Sequence, residues 1–276
     1  MDNHAAMIPL VVRQRIGVYL RLMEDEGASF LRGLYLLGSV ALDDYQEGRS
    51  DIDFVALACG PLDTADIRRL ARVHDAMHRL QGPSFDGFYI EPGHLHRAPQ
   101  ADDRASFSLD GTFHADAVCF ETNPVTWLLL SRHGIVVRGP APVSLGIAVD
   151  PSTLRRFQIG NLQGYWTGWI TSRAAALGGV PPDEGVDASI LAWGVLGVAR
   201  IAYTVATGGV ASKTRAGLWA LEVYSSDWHP TIRGALAGRH GEIDVVPMRL
   251  MRRALDFMRH VIADILESDG LSSDHT

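Results

Sequence analysis

The chain of 276 residues has few cysteines, a single lysine and no long apolar run. Its two cysteines, Cys59 and Cys119, exclude a disulfide framework and a cysteine-rich zinc site, and they favour a reducing compartment. No apolar run approaches the roughly 18 residues that span a membrane, since the best candidate, 189–199, is followed by Arg200. The N-terminus has no basic stretch followed by an apolar core. We therefore expect a cytoplasmic protein, monomeric and without a membrane partner.

The chain also lacks an excess of basic residues. Its net charge is −7, which argues against a nucleic-acid partner held by phosphate contacts. Residues 1–150 carry the whole acidic excess, and residues 151–276 are balanced. An acidic half suits a metal and a cationic acceptor, although a solvated acidic surface explains it equally well. The only lysine, Lys213, stands among 24 arginines, and an ammonium is not interchangeable with a guanidinium.

Hydrophobic periodicity changes near Pro151. Before it, apolar runs of strand length alternate with helical patterns, which predicts an α/β domain over residues 1–150. Residues 92–111 are polar and rich in Pro, Gly and His, which predicts a loop. The predicted helices are 8–27, 63–80 and 123–134, and the predicted strands are 33–38, 51–58, 85–90, 113–120 and 135–138.

After Pro151 only helical patterns of good quality are present. Gly178 to Pro182 and Gly208-Gly209 break these patterns cleanly. An all-helical domain is therefore predicted over residues 151–276, so that the fold class is α/β followed by all-α. The predicted helices of this domain are 152–177, 187–207, 212–224 and 245–267.

The most informative segment is a Gly-Ser pair followed by an Asp-x-Asp motif. Gly38-Ser39 ends one apolar run, and Asp51 and Asp53 open the next. Side chains at i and i+2 of a strand point to the same face, so we expect the two carboxylates to converge. Converging carboxylates suit Mg²⁺, and a Gly-Ser turn offers amides and a hydroxyl to phosphate. The pattern predicts a site for Mg²⁺ and nucleotide phosphates at the edge of a sheet.

A third carboxylate on a neighbouring strand is expected to bind metal or to act as a general base. The segment FDGFYIEPG offers two candidates, Asp86 and Glu91. On a strand they point to opposite faces, so both cannot serve the site without a bulge. Periodicity alone does not choose between them.

The strand, Gly-Ser and Asp-x-Asp combination resembles the nucleotidyltransferase superfamily, whose fold is polymerase-β-like. Asp86-Gly-Phe-Tyr-Ile90 is similar to the E-G-x-Y-[IV] segment of aminoglycoside adenylyltransferases of the streptomycin/spectinomycin type. Residues 123–140 resemble a helix and closing strand of that family, and residues 200–213 resemble its R-x-x-Y-x-x-x-T-G…K pattern. The resemblance implies an N-terminal polymerase-β-like nucleotidyltransferase domain followed by a C-terminal helical bundle that completes the cleft for ATP and acceptor.

The same resemblance implies roles for individual residues. Asp51 and Asp53 are expected to bind Mg²⁺, and Asp86 to be the catalytic base or a third metal ligand. Asp86 departs from the family, which carries Glu at this position, so its carboxylate is one methylene shorter. For Arg200, a salt bridge between domains is the alternative role. The residues assigned to ATP are Gly38, Ser39, Ser50, Arg200 and Lys213.

Two residues are assigned to the acceptor. Trp166 stands where the resemblance implies a tryptophan stacked on the drug, and the alternative is an ordinary core residue. Asp187 opens a predicted helix, where its carboxylate either binds an ammonium group of the acceptor or caps the helix.

The function expected from the resemblance is Mg²⁺-dependent transfer of AMP from ATP to a hydroxyl of an aminoglycoside or aminocyclitol antibiotic, with release of pyrophosphate. One alternative is the same transfer to another small molecule or to a protein. A second alternative is a regulatory module that binds nucleotide without turnover.

Overall fold

The structure of the protein is a computed structural model that describes residues 8–273, except for the side chains of residues 270–273. The chain divides into two compact units, Met1–Asp150 and Pro151–Thr276. The first unit is a mixed sheet with helices, and the second is mainly helical. This architecture is consistent with the predicted α/β part followed by a helical part, while the roles assigned to the two domains remain predictions.

The N-terminal unit combines helices with one sheet. Its helices are α1 (Leu10–Asp25), α2 (Gly38–Ala41), α3 (Thr64–Arg79) and α4 (Pro124–His133). Its strands are β1 (Leu31–Leu36), β2 (Ile52–Ala58), β3 (Phe85–Ile90), β4 (Arg104–Leu109), β5 (Thr112–Val118) and β6 (Ile135–Arg138). Over the described residues the strand order is β5-β4-β3-β2-β1-β6. Strands β2 and β3 are parallel, and the other neighbouring pairs are antiparallel.

The two faces of this sheet are covered differently. On one face, α1 and α3 pack onto apolar side chains of the central strands and bury them, Phe54 among them. On the other face, Phe88 of β3 stacks against Trp127 of α4, with ring centroids 6.1 Å apart. Side chains alternate between the two faces along a strand. The residues on either side of Phe54 therefore point away from α1 and α3, and those on either side of Phe88 point away from α4.

Local capping signals set two of the helix starts. Asp63 caps α3 and forms a reciprocal capping box with Asp66. The Asn123 side chain accepts the amides of Val125 and Thr126, and Pro124 occupies the first turn of α4, where it has no amide to lose. Both starts agree with the sequence prediction.

The segment predicted as a loop, 92–111, is partly regular. Pro92–His96 form a 3₁₀ helix, and Arg104–Leu109 are strand β4. A two-residue turn of Asp110 and Gly111 joins β4 to β5, and both residues have positive φ angles, 50° and 74°. An Asp-Gly pair is a strong signal for such a hairpin turn, so the loop prediction was wrong at this end.

The C-terminal unit is built from helices and two short strands. Its helices are α5 (Pro151–Asn161), α6 (Thr167–Ala176), α7 (Ala188–Thr207), α8 (Lys213–Val223), α9 (His229–His240) and α10 (Met248–Ser273), with a π-helical turn at Leu162–Trp166 between α5 and α6. Strands β7 (Gly185–Asp187) and β8 (Val245–Pro247) pair antiparallel.

Two features of this unit differ from the prediction. Strands β7 and β8 correct the all-helical expectation, and at three residues each they are too short to produce a periodic pattern. Helix α9 was missed because its glycines lower helix propensity. Gly238 is required there, since a Cβ at this position would lie 2.8 Å from the Ala188 carbonyl oxygen.

Helix α7 is central to the hydrophobic core of this unit. Its buried residues, including Leu191, Val195 and Val198, pack with Met251 and Phe257 of α10. By length and composition α7 is the one helix of the described residues that could cross a membrane, and 56% of its apolar stretch is buried within the protein. Its apolar character is explained by the core that it forms.

A buried polar network connects α1, α3 and β3. The Tyr89 hydroxyl lies 2.8 Å from the Tyr19 hydroxyl and 2.7 Å from His74 Nε2. Burial lowers the pKa of His74 to about 3, so the imidazole is neutral. His74 is only 2% exposed, so its ring lies inside the fold.

Candidate active site

Two carboxylates lie on neighbouring parallel strands. Asp53 of β2 is paired in register with Asp86 of β3. Registered neighbours point to the same side of a sheet, so both carboxylates lie on the face that carries Phe88. Asp51 immediately precedes Ile52, the first residue of β2, and is exposed. The fold therefore brings Asp51, Asp53 and Asp86 together where the parallel strands β2 and β3 begin.

The register also separates the two candidates for the third carboxylate. Glu91 follows Ile90, which pairs with Leu57 near the far end of β2. Five residues at a rise of about 3.3 Å place Glu91 roughly 16 Å from Asp86 along the strand. Of the two, only Asp86 lies beside Asp53.

Gly38 provides the room that the Asp53 carboxylate occupies. A Cβ built on Gly38 would lie 1.6 Å from Asp53 Oδ2, and the φ angle of Gly38 is +53°. The Leu37 amide donates to the Asp53 carbonyl at 2.9 Å, which joins the start of α2 to β2. A side chain at position 38 would thus displace the carboxylate and strain the backbone.

Ser39 follows with a buried hydroxyl. Its Oγ is inaccessible to solvent and has no hydrogen-bond partner within the described part of the chain. A buried hydroxyl without a partner costs free energy unless a ligand or water satisfies it. Next to Gly38 and Asp53, this hydroxyl fits an oxygen of a phosphate group.

Ser50 has a structural role in this structure. Its Oγ accepts the Gln46 amide at 3.0 Å, and its own amide donates to the Gln46 carbonyl at 2.8 Å. These bonds close the turn that leads into Asp51. Its assignment to nucleotide binding remains a prediction.

The Asp86 carboxylate is held by the strand start and by the β4–β5 turn. The Ser84 hydroxyl donates to Oδ2 at 2.7 Å, and the Gly111 amide donates to Oδ1 at 3.3 Å. The Ser108 hydroxyl lies 3.5 Å from Oδ1. Burial raises the pKa of Asp86, the bonds from Ser84 and the turn amides lower it, and the charge of Asp51 raises it, with a net upward shift.

The expected group of three metal-binding carboxylates is not formed. Among the described residues, no three His, Cys, Asp or Glu side chains are arranged so that they could hold a metal ion. Asp86 instead accepts hydrogen bonds from Ser84 and Gly111 through its two oxygens. The metal ligands that the motif offers are then Asp51 and Asp53.

The helical unit places the two predicted cationic residues close together. Arg200 of α7 is half-buried, and its Nε donates to the Ala211 carbonyl at 3.2 Å. Lys213 is the first residue of α8, two positions after Ala211. Its Nζ lies 4.8 Å from the centroid of the Trp193 ring, within cation–π distance.

Trp166 occupies the core position that was foreseen as its alternative role, and its assignment to the acceptor remains a prediction. Trp166 is 6% exposed and belongs to the hydrophobic core, because its ring packs over Gly197. Its neighbours Tyr165 and Trp193 are about half exposed. Trp193 was missed by the sequence reasoning, although its spacing of seven residues from Arg200 places both on one face of a helix.

Asp187 caps α7. Its Oδ1 accepts the amide of Ser189 at 2.7 Å, which is the capping role foreseen as an alternative. The residue is exposed. Binding of an acceptor ammonium by Asp187 remains a prediction.

Comparison with known proteins gives a family match over part of the chain and a similar fold. Residues 188–264 match the family model described as "Aminoglycoside adenylyltransferase, C-terminal domain". Among solved structures, the fold is similar to spectinomycin adenyltransferase AAD(9) from Enterococcus faecialis, solved with ATP and spectinomycin. That similarity has a TM-score of 0.68 at 13% sequence identity, and it covers 91% of this chain and 99% of the other. A search of curated proteins finds no match to this sequence.

The family match and the shared fold confirm the resemblance to aminoglycoside adenylyltransferases that the motifs indicated. The matched residues include Arg200 and Lys213, outside the Asp-x-Asp region.

Proposed function

We propose that this protein transfers the adenylyl group of ATP to a hydroxyl of an aminoglycoside or aminocyclitol antibiotic and releases pyrophosphate. The observation that carries the proposal is the register of Asp53 with Asp86 on parallel strands. The solved structure with the similar fold contains ATP and spectinomycin, which supports the choice of donor and acceptor class.

The residues around Asp53 fit Mg²⁺ and the phosphates of ATP. The space above Gly38 holds the Asp53 carboxylate, and the neighbouring Ser39 hydroxyl is buried without a hydrogen-bond partner among the described residues. Asp51 and Asp53 would hold the ion, since Mg²⁺ is bound in proteins by one or two carboxylates together with substrate phosphates. When bound, Mg²⁺ neutralises charge on the triphosphate.

Asp86 serves as the general base in this proposal. The acceptor hydroxyl attacks the α-phosphorus of ATP, the bond from that phosphorus to the bridging oxygen breaks, and pyrophosphate leaves. The proton of the hydroxyl passes to the Asp86 carboxylate. Burial of Asp86 raises its pKa, which makes it a stronger base than an exposed aspartate, and the bonds from Ser84 and Gly111 fix its direction.

Arg200 and Lys213 supply positive charge to the triphosphate. The family match over residues 188–264 supports this role. Cations at the phosphates stabilise the charge that develops on the leaving pyrophosphate. The acceptor is polycationic, which suits the acidic excess of residues 1–150 and the exposed carboxylate of Asp187.

The test is pyrophosphate release from Mg·ATP in the presence of a panel of aminoglycoside and aminocyclitol acceptors. We expect release with at least one of them, and loss of at least about 100-fold in Asp53→Asn. Asp75→Asn is the matched control, because Asp75 is an exposed carboxylate paired with Arg79 on α3. Release only with other acceptors would favour a different adenylyltransferase, and ATP binding without release would favour a regulatory module.

A further inference from the structure

The ammonium of Lys213 lies over an exposed aromatic ring. Its Nζ is 4.8 Å from the centroid of Trp193, a side chain of α7 that is 46% exposed. A tryptophan face is the best aromatic partner for a cation at this distance. A large aromatic side chain left half in water, with the only lysine of the chain above it, is not explained by packing of the core.

The ring of Trp193 is held in position by a buried ring. It contacts the ring of Trp166, with centroids 6.2 Å apart. Trp166 is buried and lies over Gly197, where a Cβ would come within 2.3 Å of the indole. Gly197 is one turn after Trp193 on α7. Because Gly197 has no side chain, the buried Trp166 ring can pack against α7. There it contacts the exposed Trp193 ring.

The backbone that carries Lys213 is fixed from the same helix. Arg200 lies two turns after Trp193 on the same face of α7. It donates through Nε to Ala211, two residues before Lys213. Arg200 therefore holds the connection to α8, and Trp193 contacts the end of the lysine side chain.

A lysine side chain loses considerable rotamer freedom when it binds a phosphate, and this loss is smaller if the side chain is already ordered. We propose that Trp193 is a positioning residue that holds the Lys213 ammonium ready for the polyphosphate of the nucleotide. This inference rests on the proposed function, and it adds to it a residue for which neither the motifs nor the family match gives a role.

The experiment measures Mg·ATP affinity by calorimetry in the full-length protein. The variants are Trp193→Leu, which keeps apolar bulk without an aromatic face, and Trp193→Phe, which keeps a face. Tyr165→Ala is the control, because Tyr165 also packs its ring on Trp166 and is half exposed. Each Trp193 variant is also made in a Lys213→Ala background, and thermal melting by circular dichroism verifies folding.

We expect Trp193→Leu to weaken ATP binding about 3- to 30-fold, and Trp193→Phe to bind within about 3-fold of wild type. Tyr165→Ala should bind as wild type does. In the Lys213→Ala background, Trp193→Leu should have no further effect, because its contribution passes through the ammonium.

Two results separate failure of this inference from failure of the proposed function. If Lys213→Ala leaves ATP affinity unchanged, the role of Lys213 in the proposed function is wrong and the inference falls with it. If Lys213→Ala weakens ATP binding while Trp193→Leu does not, or if the two effects simply add, the inference alone is overturned.

Discussion

The Asp53 carboxylate occupies the space that a side chain on Gly38 would need. A Cβ at position 38 would lie 1.6 Å from Asp53 Oδ2, and the backbone there has a φ of +53°. The Gly-Ser pair and the Asp-x-Asp motif are therefore one structural unit. The glycine is required because the carboxylate approaches its Cα closely.

We predict that Gly38→Ala lowers the rate of nucleotidyl transfer about 100-fold. The methyl group must displace Asp53, and a displacement of about 1 Å at a catalytic site costs on the order of 100-fold in rate. Gly48→Ala is the matched control, since Gly48 also has a positive φ, 75°, but a Cβ there meets nothing within 4 Å. Initial rates of pyrophosphate release check both. An equal loss of rate in the two variants would show that backbone strain, and not the contact with Asp53, is responsible.

Ser84→Ala should lower kcat about 10-fold, because Asp86 loses the hydroxyl that orients its Oδ2. The Ser84 hydrogen bond lowers the pKa of Asp86, so its loss raises that pKa further. The acidic limb of the pH–rate profile should then move to higher pH. Ser84→Thr keeps a hydroxyl and should retain most of the rate. The prediction is wrong if Ser84→Ala leaves both kcat and the acidic limb in place.

His74 should make stability depend on pH. Its pKa is about 3 in the folded protein against an ordinary value of 6.5, so only the unfolded state binds the proton as pH falls below 6.5. The folded state is then destabilised by about 2 kcal/mol between about pH 7 and about pH 5. His74→Phe should remove this part of the pH dependence. Urea unfolding at the two pH values measures it.

The control for the His74 measurement is His78→Phe. His78 is exposed and lies one helical turn after His74 on α3. This variant should keep the wild-type pH dependence. If His74→Phe and wild type lose stability equally on acidification, His74 is not the titrating group.

Trp166→Ala should destabilise the fold by about 3–5 kcal/mol, because it empties a buried position in the helical core. Tyr165→Ala, next to it in the chain and half exposed, should cost less than about 1 kcal/mol. Denaturant unfolding measures both. A Trp166→Ala protein of normal stability would favour the acceptor-binding role of Trp166 over the core role.

The parts that sequence predicted best depend on local chemistry. Asp63 and the Asn123-Pro124 pair satisfy helix amides within three residues, so the helix starts could be predicted without knowledge of the rest of the fold. The Gly-Ser and Asp-x-Asp spacing likewise predicted a nucleotide site, and that assignment remains a prediction.

The features that the sequence could not predict depend on the register between strands and on how deeply side chains are buried. Periodicity put Asp86 and Glu91 on opposite faces of a strand, but only the register with β2 shows that Asp86 lies beside Asp53. The pattern around Trp166 showed which residues share a helix face without showing how deeply each is buried. Helix α9 has a weak local signal because its glycines lower helix propensity, and Gly238 is needed only for its close approach to the Ala188 carbonyl.

The most direct test of the account is the rate of AMP transfer from labelled ATP to aminoglycoside and aminocyclitol acceptors by wild type, Asp86→Asn and Glu91→Gln. If the register of Asp53 and Asp86 defines the active site, Asp86→Asn should lose at least about 100-fold in kcat and Glu91→Gln should stay within about 3-fold of wild type. Full activity of Asp86→Asn, or a comparable loss in Glu91→Gln, would contradict it.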